Sequence, residues 1–186
     1  QAAEAKGGLD CLVNKAGIAG PTARLEDIDD DIWHNTSTVC LCSQFYASRA
    51  AIPHLKRSTG GSIINLSSAA GRFGFAMRSP YSAAKWGVIG LTKTLAIELG
   101  EEGIRVNAIL PGFVAGDRQR RVMEAKSQQR GISFEAIEAE AFSYSSVKDY
   151  VTATHIADQC LFLASERGRM ISGQALAIDG DTKMLA

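Results

Sequence analysis

The chain has 186 residues, 46% of them hydrophobic, which suits one domain with one substantial core. Its 20 Lys and Arg balance 20 Asp and Glu, so net charge gives no pointer to a nucleic-acid or anionic-membrane partner. No apolar run approaches the roughly 20 residues that span a bilayer, no secretory signal opens the chain, and the four cysteines show no zinc-like or redox Cys-x-x-Cys spacing.

The first element is a short apolar strand, Leu9 to Asn14, feeding the glycine-containing loop "KAGIAG". From about Asp27 to Leu55 a long helical stretch follows, acidic at its start and basic at its end, as the helix dipole favours. Its cysteines Cys40 and Cys42 would face apart on a helix, and with Cys11 and Cys160 they are expected as free thiols in a cytoplasmic protein. "GGSIINLSS" is a second strand, opened by Gly60 and Gly61. Ser79 is expected to cap the next helix, with Pro80 in its first turn and Gly100 ending it. Along that helix Ala84, Val88, Leu91, Leu95 and Leu99 recur every three or four residues. "IRVNAIL" is a third strand, stopped by Pro111 and Gly112. Residues 117 to 148 are polar and irregular, with two short helices. A helix over "THIADQCLFLAS" and a strand in "QALAIDG" complete the pattern.

Alternating strands and helices predict an α/β fold: one doubly wound parallel sheet, covered on both faces, within a single domain over residues 1–186. Ligands in such folds sit beyond the carboxyl ends of the strands. Asn14 to Gly17, Ser67 and Ser68, and Pro111 to Val114 each follow a predicted strand, so they should gather along one edge. Tyr81 and Lys85, four apart on a helix, share a face. A phenol titrates near 10, too high for efficient acid–base work at neutral pH, and a nearby ammonium favours the phenolate. Ser68 could donate a hydrogen bond to a carbonyl oxygen. A Tyr and Lys at this spacing are common in ordinary helices, so the pair gains weight only from its neighbours.

Those neighbours resemble the short-chain dehydrogenase/reductase family over essentially the whole chain. "NKAG" is similar to that family's Asn-Asn-Ala-Gly, "INLSSAAG" to its serine-bearing strand, and "YSAAK" to its Tyr-x-x-x-Lys motif. "IRVNAILPG" resembles its next strand and Pro-Gly turn, and "ISGQALAIDG" its last strand. The resemblance implies a Rossmann-like fold and an NAD- or NADP-dependent oxidoreductase acting on a small carbonyl or alcohol substrate. Tyr81 would be the acid/base, Ser68 would orient the carbonyl, and Lys85 would favour the phenolate and hold the nicotinamide ribose. Asn14, Ala16 and Gly17 would border the cofactor, with Pro111, Gly112 and Val114 near the nicotinamide. Residues 113–150 would form a lid over the substrate. A homo-oligomer, dimer or tetramer, is implied through the helices at 27–55 and 79–99, where Gly87 and Gly90 allow close approach.

The sequence departs from the family pattern at four places. Cys40 stands where an asparagine is expected, and a thiol is a poor hydrogen-bonding substitute for an amide. Lys15 replaces the second asparagine of the Asn-Asn-Ala-Gly motif, and Gly116 lies near the place of a threonine that often follows the Pro-Gly turn. The family's opening strand, glycine-rich turn and helix have no counterpart, so the first three strands are expected to be absent. A silent binding module is the competing expectation, favoured by Cys40 and Lys15. Intact Ser68, Tyr81 and Lys85 favour the enzyme.

Overall fold

The computed structural model describes residues 8–185. Four strands, β1 (Cys11–Asn14), β2 (Ser62–Leu66), β3 (Arg105–Pro111) and β4 (Ala175–Ile178), form one sheet in that order. All three pairings are parallel, with Asn14 opposite Asn65, Leu66 opposite Ile109, and Pro111 opposite Ile178. Parallel neighbours need crossovers, and helices supply them. Alternation along β2 sends Ile63 and Ile64 to opposite faces, so both faces carry a core. Ile63 packs with Leu55, Leu95, Leu99 and Val106. Ile64 packs with Leu66, Ile109 and Leu163. The α/β reading with a parallel sheet therefore holds. Among the described residues β1 is paired on one side only, and no helix is long and apolar enough to cross a membrane.

The expected stretch at 27–55 is helical but interrupted. It runs as α1 (Asp30–Ser37), a π-helical turn over Thr38–Cys42, and α2 (Ser43–Leu55). A π turn carries an extra residue, which no hydrophobic period reveals. The next helix, α3 (Ser79–Leu99), has Pro80 in its first turn, but Ser79 is not its cap. Arg78 takes the cap position without a side-chain cap bond. Proline has no N–H to satisfy, which lightens the demand for a cap there. Gly100 stands at the C-cap of this helix, as expected, but in a right-handed conformation. The chain tightens into a 3-10 turn, Gly100–Glu102, and Gly103 reverses it at φ 74°.

Residues beyond β3 form α4 (Asp117–Arg130) and α5 (Phe134–Ser143), the two helices expected in the polar stretch. Val114 then bridges to Val151, and α6 (Ala153–Ala164) returns along the sheet to β4. Thr152 and His155 cap α6 reciprocally. Gly87 has a use within the chain. A Cβ there would lie 2.8 Å from Leu41 Cδ2, whereas one at Gly90 meets nothing within 4 Å.

Candidate active site

The carbonyl of Leu66, last residue of β2, accepts hydrogen bonds from Lys85 Nζ at 2.8 Å and Gln44 Nε2 at 3.1 Å. Strand, α2 and α3 are thus tied at one buried atom. Ser67 Oγ donates to the backbone carbonyl of Lys85 at 2.8 Å, fixing the same helix from the next residue. Gly71 lets the turn beyond β2 touch α3: a Cβ there would lie 2.7 Å from the Lys85 carbonyl oxygen and 2.4 Å from Ser67 Oγ. Ser68 accepts from the Ala70 N–H at 3.1 Å, so its own proton remains available to donate.

Tyr81 lies one turn before Lys85 on the same helix face. Three cations surround its ring, at centroid distances of 5.4 Å for the Arg78 guanidinium, 5.7 Å for Lys85 Nζ and 5.8 Å for Arg118. Burial lowers the Lys85 ammonium to about 8 from its ordinary 10.5; nearby Cys40 opposes the fall and the charge of Arg118 adds to it.

Cys40 is fully buried in the π turn. Its Sγ accepts from the Ile18 N–H and donates to the Ile18 carbonyl, each at 3.4 Å. The expectation of a poor substitute is thus qualified: the thiol makes both bonds, though long ones. They hold the loop after β1 beside Lys85. A Cβ on Gly17 would sit 3.6 Å from Lys85 Nζ and 3.8 Å from Cys40 Sγ.

A cleft of about 760 Å³ opens over the strand ends, and Gly17, Ser68, Tyr81, Lys85, Pro111, Gly112 and Val114 all line it. Asn14 and Ala16 are not among its lining residues. The Asn14 amide points elsewhere, donating to Asn65 Oδ1 at 2.8 Å and Ser48 Oγ at 3.0 Å. Gly112 has a packing role besides its place in the cleft, since a Cβ would come 2.8 Å from Asp179 Cα. The sequence reading missed Arg78 and Arg118, which also line the cleft. Only the spacing of Arg78, three residues before Tyr81, could have drawn notice to it.

A family model described as enoyl-(acyl carrier protein) reductase matches residues 1–181. The chain belongs to the short-chain dehydrogenase/reductase family. It is 41% identical over 179 residues to a trans-4-hydroxycyclohexanecarboxylate dehydrogenase of Sinomonas cyclohexanicum, covering 96% of this chain and 62% of that one. A D-beta-hydroxybutyrate dehydrogenase of Rhizobium meliloti (strain 1021) is 36% identical over 175 residues, covering 94% of this chain and 67% of its own. The chain thus spans about two thirds of the length of these relatives. Among solved folds, an NAD+-bound xylitol dehydrogenase superimposes with a TM-score of 0.91 at 25% identity, over 96% of this chain and 71% of that one.

The lowered Lys85 value has a consequence for stability in this short-chain dehydrogenase/reductase. Below about pH 8 the lysine is charged in both folded and unfolded states, and the folded state bears the full cost of burying it. Between 8 and 10.5 the folded state sheds the proton first, and the cost disappears. Wild type should therefore gain on the order of 3 kcal/mol relative to Lys85→Met as pH rises through that window. Urea unfolding of both proteins at several pH values checks this; a constant difference contradicts it.

Proposed function

We propose that the chain carries the acid–base site of a nicotinamide-dependent oxidoreductase that interconverts a carbonyl and an alcohol. The observation that carries this reading is the convergence of Ser68, Tyr81 and Lys85 on one cleft at the strand ends. The cleft suits a nicotinamide nucleotide. Among the described residues no Asp or Glu lines it to repel phosphate, and Gly17 and Gly112 present no side chains to its wall. Lys85, Gly17, Gly112 and Val114 would hold the nucleotide, which supplies or accepts the hydride when bound.

In the reductive direction, Ser68 donates a hydrogen bond to the substrate carbonyl oxygen, and Tyr81 passes its phenolic proton to that oxygen as negative charge develops there. The Lys85 ammonium stabilises the phenolate left behind. Oxidation reverses the proton transfer, with the Tyr81 phenolate accepting the alcohol proton. Segment 113–150, which carries Phe113, α4 and α5, covers the substrate. Its seating is supported by Arg118 of α4, which donates to the Ile18 carbonyl at 2.7 Å across the cleft mouth.

Self-association forms part of the reading. Phe45, Tyr46 and Trp86 are exposed on α2 and α3, where a second copy could cover them. Light scattering should show a dimer or tetramer at micromolar concentration, and a strict monomer counts against pairing. For the chemistry, Tyr81→Phe keeps the ring and removes the proton. Turnover of the full-length polypeptide should fall about 10²-fold or more. Near-normal turnover would rule out this mechanism.

A further inference from the structure

Arg78 is the buried charge that the chemistry above leaves unused. It is 2% exposed, yet it lines the cleft beside Tyr81. Its Nη2 donates to the Ala19 carbonyl, while Nε and Nη1 are buried without a hydrogen-bond partner. A guanidinium does not shed its proton, so these donors stay charged and unsatisfied. Leaving a buried donor unpaired costs about 1–3 kcal/mol, and more when the group is charged.

A purely structural clamp does not account for the residue. The loop at 19–23 is already tied to the start of α3 by the Ala23 N–H and the Met77 carbonyl at 3.0 Å. One further bond to Ala19 needs neither a permanent charge nor three nitrogens.

The surroundings suit an anion. Among the described residues, the charged side chains lining the cleft are Lys15, Arg78, Lys85 and Arg118, with no Asp or Glu, although the whole chain is neutral. Arg78 and Arg118 lie against the same Tyr81 ring, at 5.4 and 5.8 Å, and so close together they repel one another. A planar carboxylate is matched to such donors, because its two oxygens take parallel N–H bonds from a guanidinium. Since both cations flank the residue that exchanges the proton, the anion belongs to the reacting molecule. Phe75, Phe113 and Val114 give the cleft an apolar wall for a short hydrocarbon spacer.

We propose that the substrate is a carboxylic acid, an oxo acid or its hydroxy acid, held by its carboxylate at Arg78 with Arg118 as second donor. This rests on the oxidoreductase reading of the same cleft. Arg78 is thereby a specificity-determining residue, and a neutral ketone or ester of the same shape is a poor ligand.

The test uses the full-length polypeptide with NADH and with NADPH. The probes are 3-oxobutanoate and 4-oxopentanoate, each compared with its methyl ester by calorimetry and by cofactor absorbance. At least one acid should bind on the order of 10- to 100-fold more tightly than its ester, as charge-assisted bonds to a carboxylate imply. Arg78→Met should abolish that preference, Arg78→Lys should restore part of it, and Arg118→Met should weaken it. The acid–ester comparison in wild type decides the matter even if Arg78→Met fails to fold. Equal affinities, no saturable binding of either acid, or a preference that survives both methionine variants would overturn the proposal. Acids that bind through Arg78 but are never reduced would uphold the carboxylate site and sink the oxidoreductase reading. Esters reduced as readily as acids would do the reverse.

Discussion

One backbone atom organises the site. The Leu66 carbonyl sits where β2 ends, takes donors from Lys85 and Gln44, and so joins the sheet to helices on both sides of the crossover. A buried carbonyl demands a partner, and here the partner is a cation that is itself costly to bury. Neither group could stay inside without help. The bond, the Ser67 contact to the Lys85 carbonyl and the bare Cα of Gly71 set how closely α3 approaches the strand end. Tyr81 then falls over the cleft because it stands one turn before Lys85.

The same economy governs the loop after β1. Asn14 looked from its position like a cofactor contact, but its amide links Asn65 and Ser48, and Asn65 donates in turn to Thr92 Oγ1 at 2.9 Å. That network fixes β1 against β2, α2 and α3, and places Gly17 above Lys85. Cys40 completes the support through the Ile18 backbone. Sulfur bonds are longer and weaker than those of an amide, yet a buried thiol that both gives and takes one satisfies two backbone groups. A residue that looked like a defect is part of the framework.

Much of this was legible in the residues. Strands buried on both faces write themselves as apolar runs, and the 79–99 helix shows its period, so the sheet and the place of Ser68, Tyr81 and Lys85 could be read. Less legible were features set by contacts distant in sequence. The π turn at 38–42 leaves no mark on hydrophobic spacing. Gly100 caps the 79–99 helix as its position suggests, but the backbone alone shows that the left-handed reversal waits until Gly103. The burial of Arg78 is not legible either, because nothing local says that Phe75, Tyr81 and the Ala19 carbonyl close around it.

The account depends on Lys85 being a buried cation at the strand end, available to a phenolate at neutral pH. Its own titration tests that most directly. Side-chain NMR of the full-length polypeptide, with the Lys85 signal assigned by its loss in Lys85→Arg, should give a midpoint near 8. A midpoint near 10.5, the value of a lysine in water, would mean that the ammonium is not buried against Leu66 and would contradict the account.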